Sequence, residues 1–225
     1  AEYESIKGWK IALSMDLGSF EVDEDVRRNT LAVAELLRSL GATVDQVEIG
    51  WRPEVLEAGI TYLTHLFGGA LSNELEENGD QMTTYCRRFA EDSQSSTAQD
   101  FVHSLEVAGE AYIKLGPLLA RYDCLICPTN ALPAVAAAFD PSQDLLEING
   151  TRVNAALGWV MTTPFNMMSR CPVVSVPSGF ASNGVPTGLQ IVAPTYRDEI
   201  AMEAAIAFES AAGRWYQNGQ KPAGP

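Results

Sequence analysis

Few residues in this chain could do chemistry, and most of them stand in poor company for it. Two histidines and four cysteines are the whole supply of those types in 225 residues. His65 lies beside an apolar helical stripe and His103 falls off another, so both read as helix-surface residues rather than acid-base catalysts. No serine stands in a nucleophile-elbow pattern. Ser95 and Ser96 sit in a polar stretch without the glycines that could build an oxyanion hole, and they read as solvent-exposed. Glu74 with Glu76 and Glu77, and Asp23 with Asp25, read as solvated charges rather than paired acids. Gly68 and Gly69 lie inside a helical stripe and SGFASNG joins two strands, so neither is a phosphate-cradling loop. Cys124 and Cys127 in YDCLICPT invite a zinc or redox reading. Positions three apart on a strand face opposite ways, however, so they cannot share a metal. No metal and no cofactor is expected.

The most site-like region is 159–171. Trp159, Phe165, Met167 and Met168 could line an apolar pocket, with Thr163, Asn166, Ser169 and Arg170 as polar points. Plain core and turn residues would give the same pattern. Pro164 and Pro172 keep this lead-in from being one regular helix. Behind it come two β-branched runs, Val173 to Val176 and Leu189 to Val192, joined by the turn-rich Ser178 to Pro186.

The elements that must position this region follow from periodicity. Trp9 to Asp16, Ala42 to Ile49 and Asp123 to Pro128 read as strands. Between the first two, Asp23 caps a helix with Val26, Thr30, Val33, Leu37 and Leu40 on one face, stopped by Gly41, which makes a βαβ unit. Pro53 opens a second helix running to Asn78. Residues 81–99 read as a polar loop. Phe101 to Leu119 is a long helix with a kink or break expected at Gly116 and Pro117. Asn149 and Gly150 suggest a small hairpin, and Asp198 caps a last helix to about Ala212, ahead of a loose tail. Five strands alternating with long helices make an α/β fold, a mixed, largely parallel sheet covered by helices, and residues 1–225 read as one domain.

A formal charge of −14 repels phosphate backbones and anionic lipid, so nucleic acid is not an expected partner. No apolar run approaches the ~20 residues that span a bilayer, so neither is a membrane. The four cysteines read as free core thiols, which suits a reducing cytoplasm.

Three blocks in order, YDCLICPT, TTPFNMMSRCPVVSVPSG and NGVPTGLQIVAP, resemble the C-terminal half of the amidase-signature family, serine hydrolases of carboxylic amides. The opening WKIALSMDLGSFEVDEDVRRNTLAVAELLRSLGATVDQVEI is similar to the segment that follows the family's glycine- and serine-rich signature. The resemblance implies a small-molecule amide substrate, an acyl-enzyme route and a catalytic lysine with two serines. None of those three matches a residue here, so no catalytic role passes to this chain, which alone is expected to be inactive. It further implies that 157–168 border the substrate channel, making Trp159, Thr163, Phe165, Asn166, Met168, Ser169 and Arg170 the expected substrate-binding residues. Members that handle glutamine place an acidic residue where this chain has Trp159, which argues for an apolar or aromatic acyl group. The family often has glycine near Ser169. If the first half of the enzyme is absent, apolar surface meant for it would favour homo-oligomers. The alternative is a non-catalytic, amidase-like binding module. A nucleotide-binding α/β domain fits the alternation but lacks the glycine-rich first turn.

Overall fold

The computed structural model describes residues 5–213. Its centre is a sheet of five strands: β1 at Lys10–Leu13, β2 at Thr43–Gln46, β3 at Cys124–Pro128, β6 at Val173–Phe180 and β7 at Pro186–Val192. They lie in the order β2-β1-β3-β7-β6. Pairing is parallel across β2, β1 and β3 and antiparallel across β3, β7 and β6, so the sheet is mixed, as the alternation of elements implies. Val173 to Val176 and Leu189 to Val192 each proved to be part of a longer strand.

Both faces of the sheet are covered. Ile11, Leu13, Cys124, Ile126, Leu189 and Ile191 share one core, while Ala12, Leu125, Cys127 and Val192 belong to the other. Alternation along β3 thus puts Cys124 and Cys127 on opposite sides, which removes a shared metal on geometric grounds. Burial pushes the Cys124 thiol up to about 12, and that of Cys127 higher still.

Helix α1 (Glu24–Ser39) sits on the first face. Asp23 is its N-cap, accepting from the Asp25 N–H at 2.8 Å. Gly41, at φ +94°, turns the chain into β2. The last helix, α8 (Asp198–Ala212), shares this face and buries Ala201, Ala204, Ala205, Ala207 and Phe208. Its cap is Arg197, one residue earlier than the Asp198 expected. The tail beyond Gly213 lies outside the described residues.

The second face differs most from the sequence reading. The single helix expected from Pro53 to Asn78 is α2 (Pro53–Leu63), a π-turn over Thr64–Gly68, then α3 (Gly69–Ser72) and α4 (Leu75–Asn78). The polar loop expected over 81–99 contains helix α5 (Thr84–Ser93). Its polarity hid it, because it is held through few groups: Ala90 and Ser93 are buried, and a Cβ on Gly68 would lie 2.7 Å from the Phe89 carbonyl. Only glycine permits that approach. Ser95 is exposed, but Ser96 is half-buried and bonded to His65 Nδ1 at 3.0 Å. His65 also stacks on Phe101, with ring centroids 4.8 Å apart.

Helix α6 (Ala98–Leu119) begins with a capping box between Thr97 and Asp100 and runs unbroken through Pro117. The expected break is absent, and the helix continues for two residues beyond Pro117. The bond it cannot donate would go to Ile113, an exposed residue whose carbonyl water can satisfy. Strands β4 (Leu146–Ile148) and β5 (Thr151–Val153) form the expected hairpin, with Asn149 and Gly150 both at positive φ.

Helix α7 (Thr163–Met168) packs on α2 at Gly59, where an added Cβ would lie 2.7 Å from Thr163 Cγ2. Glycine to alanine in a helix ordinarily stabilises by up to ~1 kcal/mol. Here overpacking reverses the sign, and Gly59→Ala is expected to cost about 1–3 kcal/mol in denaturant unfolding. Thr163→Ser, which removes that methyl, should recover most of the loss in the double variant.

The β6–β7 turn is tied to α1 by Asp25, whose Oδ2 accepts from both the N–H and the hydroxyl of Ser182 at 2.7 Å. Those bonds, the backbone one foremost, and the Arg28 guanidinium lower the Asp25 carboxyl from 3.8 to about 2. A depressed carboxyl stabilises the fold above its unfolded value and ceases to as pH falls through its folded one. Between pH 5 and 2 the native protein should therefore lose thermal stability more steeply than Asp25→Asn, measured by melting in matched buffers.

Candidate functional site

The segment from Met161 to Met168 carries α7, which packs against α2 and α6. Gln190, buried on β7, donates from Nε2 to the Pro128 carbonyl at 3.0 Å and the Met161 carbonyl at 3.2 Å. Two carbonyl acceptors fix the orientation of its amide and leave Oε1 buried without a partner among the described residues. Met161 leads into α7, whose Phe165 packs against Trp51 at a centroid distance of 5.6 Å. Trp51 Nε1 is anchored in turn on the Ala111 carbonyl of α6 at 3.0 Å.

α7 ends after six residues because Ser169 takes the left-handed conformation, at φ +49° and ψ +36°. The Ser169 N–H still donates to the Phe165 carbonyl at 2.8 Å. For a non-glycine residue this conformation costs about 1–2 kcal/mol. Arg170 then places its guanidinium 5.5 Å from the Tyr112 ring centroid, and Tyr112 Oη is hydrogen-bonded to Thr195 Oγ1 at 2.8 Å.

These elements enclose an open cavity of about 520 Å³. Phe165, Asn166, Ser169 and Arg170 line it together with Ser175 of β6 and Gln190 of β7. Ser175 Oγ is engaged with Thr129 Oγ1 at 2.7 Å. Cys171 also reaches the cavity, but partial burial raises its thiol, which keeps it protonated and a weak nucleophile. Arg170 and Asp198 are the charged groups of the lining, one of each sign. Among the described residues no cluster of three or more His, Cys, Asp or Glu side chains could hold a metal.

Four of the seven residues singled out from sequence therefore meet around one space: Phe165, Asn166, Ser169 and Arg170. The other three stand behind it. Thr163 is buried where α7 meets Gly59 of α2, and Met168 is buried in the same core. Trp159 is half-buried against the same core, with Nε1 donating to the Ala155 carbonyl at 3.1 Å. Sequence reasoning missed Ser175, Gln190 and Asp198. The signal was present for two of them, as the single polar residues inside otherwise apolar strand runs.

A family model for Amidase matches residues 1–201. The chain belongs to the Amidase family. An acylamidase of Rhodococcus erythropolis is 28% identical over 211 residues, which is 91% of this chain and 43% of that protein. A glutamyl-tRNA(Gln) amidotransferase subunit of Streptococcus uberis is 27% identical over 92% of this chain and 45% of its own length. A bacterial aryl acylamidase of the amidase signature family superposes with a TM-score of 0.82 at 23% identity, covering 98% of this chain and 47% of that structure. The chain thus spans a little under half the length of the relatives it matches. At the left-handed Ser169, glycine would adopt φ > 0 without penalty.

Gln190→Leu removes both clamping bonds and leaves the Pro128 and Met161 carbonyls without their donor. The expected cost is about 2–4 kcal/mol, read as a lower urea midpoint with an unchanged slope.

Proposed function

We propose that this chain is the C-terminal, pocket-forming portion of an amidohydrolase that cleaves a small carboxylic amide to the acid and ammonia or amine. The observation that carries the reading is the coincidence of the family match with a cavity built on the very segment, TTPFNMMSR, that resembles the family's channel wall. In this reading the nucleophilic serine, the bridging serine and the lysine come from residues outside this chain. The serine oxygen adds to the amide carbonyl, the amine departs with a proton, and water then releases the acid from the acyl-serine.

The role of this chain is to receive and orient the substrate. The Phe165 ring offers an apolar surface for the acyl group, and Asn166 and Ser169 offer polar contacts. Arg170 and Asp198 balance in charge, so an uncharged amide fits better than an acidic or basic one. The Phe165 ring in the lining supports an apolar or aromatic acyl group, in keeping with relatives named acylamidase and aryl acylamidase. Thr163 and Met168 act from behind, setting the position of α7. Residues 1–225 act as one α/β unit here, supported by the two cores that share a single sheet.

The same reading includes a cytoplasmic setting, supported by four free cysteines, Cys86, Cys124, Cys127 and Cys171. It also includes association, either with the catalytic portion or between copies.

The test is hydrolysis of neutral aryl and aliphatic amides by the longest polypeptide the gene encodes, beside this chain alone. Turnover by the former, labelled by a serine-reactive probe outside residues 1–225, and none by the latter is the expected result. Turnover by this chain alone would refute the division of labour. Lack of both turnover and labelling in the long polypeptide, with amide ligands still raising its melting temperature, would favour the binding module.

A further inference from the structure

Four non-glycine residues among those described hold a left-handed backbone: Leu17, Asn149, Ser169 and Tyr196. Three of them show what keeps it there. Leu17 is fully buried, so its packing offsets the strain. Asn149 is of a type that tolerates this backbone, and its Nδ2 donates to Glu21 Oε1 at 2.7 Å and to the Val22 carbonyl at 3.0 Å. Ser169 ends α7 and keeps its N–H on the Phe165 carbonyl. Tyr196, at φ +63°, is 90% exposed, so its ring adds almost no burial to the fold.

The turn that holds Tyr196 is well defined. The Arg197 N–H donates to the Pro194 carbonyl at 3.0 Å, which makes Pro194 to Arg197 a four-residue β-turn with Tyr196 at its third position. Left-handed backbone at that position alone is the pattern of a type II turn, which favours glycine or asparagine there. Thr195, at the second position, is pinned by its 2.8 Å hydrogen bond with Tyr112 Oη, and Tyr112 is the ring that carries the Arg170 guanidinium. The turn is thereby tied to a wall of the cavity. Arg197 pairs with Glu199 and lines a different space beside Lys10 and Arg121, whereas Tyr196 and Asp198 line the cavity itself. Tyr196 is therefore an exposed aromatic held at the cavity rim by a strained, over-determined backbone.

We propose that Tyr196 is a specificity-determining residue of the cavity, its ring stacking on the aryl group of a neutral aromatic amide. This rests on the functional reading above and names the substrate class of that same site. Phe165 and Tyr196 are the two aromatic side chains of the lining, one on α7 and the other ahead of α8. Aromatic rings attract one another in offset or edge-to-face contact beyond what their buried area gives, and a saturated ring of the same size does not share that attraction. An exposed ring also has the most apolar surface left to remove from water when a ligand covers it. Asn166 and Ser169 remain for the carboxamide end of the same molecule.

The test uses the longest polypeptide the gene encodes and a matched pair of probes, benzamide and cyclohexanecarboxamide. Affinity is read from the rise in melting temperature with each probe, and hydrolysis from kcat and KM, in wild type, Tyr196→Phe and Tyr196→Gly. Glycine takes φ > 0 without penalty, so Tyr196→Gly without ligand should melt no lower than wild type. It should bind benzamide about 3- to 10-fold more weakly and cyclohexanecarboxamide about 2-fold more weakly or less. The loss in kcat/KM for benzamide should fall on KM rather than kcat. Tyr196→Phe keeps the ring and should keep the preference for benzamide. An unchanged ratio of the two affinities in Tyr196→Gly overturns the proposal, and so does failure of both probes to bind wild type. Equal loss for both probes with a lowered melting temperature also overturns it, and would assign Tyr196 to packing against the rest of the polypeptide. Affinity and hydrolysis separate the two readings. A benzamide preference that depends on Tyr196 without hydrolysis refutes the amidase reading alone, and hydrolysis with an unchanged ratio refutes the role of Tyr196 alone.

Discussion

Cys124, Leu125, Ile126 and Cys127 of β3 have no exposure at all. Four consecutive residues of a strand can be buried only if both faces of the sheet are roofed and both edges are paired, and the rest of the structure follows from that requirement. α1 and α8 cover one face, and α2, α6 and α7 cover the other. β1 pairs in parallel on one side and β7 antiparallel on the other. A parallel neighbour needs a long crossover and an antiparallel one does not. The helices therefore concentrate before β3, and the connection that closes the sheet after it, between β6 and β7, is a short turn.

The cavity is a by-product of how that second roof is attached. α7 is too short to be stable alone, and it is fixed from two directions: from below by the Gln190 amide on the Met161 carbonyl, and from the side by Phe165 against Trp51. The chain then has to turn sharply to enter β6, and Ser169 accepts a left-handed backbone to do so. A strained turn persists only where its surroundings over-determine it. Here the fixed α7 on one side and the β6–β7 ladder on the other supply that constraint. The space between them cannot collapse, because both walls are tied to the sheet rather than to each other.

Much of this was legible in the sequence, for reasons specific to each element. The strands announced themselves through β-branched runs bounded by turn residues, and α1 through a clean stripe between Asp23 and Gly41. The cysteine spacing could be judged from strand alternation alone. α5 was illegible because its burial depends on Gly68 admitting the Phe89 backbone, a contact between residues that no local pattern links. The π-turn at Thr64–Gly68 escaped notice because it preserves helical spacing on both sides of itself. Within 159–171, composition marked the right segment but could not say which side chains face outward. Thr163 and Asn166 look equivalent in sequence, yet α7 places one against Gly59 and the other at the cavity.

Ser175 and Gln190 carry the more general lesson. Each is the polar residue of a short apolar run, Val173 to Val176 and Leu189 to Val192, and the register sets them opposite one another. Directly paired residues of an antiparallel ladder share a face, so a polar pair in register is a polar stripe across the sheet. Cys127, opposite Gln190 on β3, extends the stripe inward, and Thr129 meets Ser175 at its outer end. Gln190 and Cys127 are its buried members, and a buried polar group costs free energy unless it is hydrogen-bonded. The Ser175 and Thr129 hydroxyls bond each other, and Gln190 Nε2 has its two carbonyls. Gln190 Oε1 has no such partner among the described residues. A sequence optimised only for this half of the fold would have placed an apolar residue there. The retained amide therefore serves the position of the cavity wall, through the two carbonyls it holds, at a cost that the sheet alone does not explain.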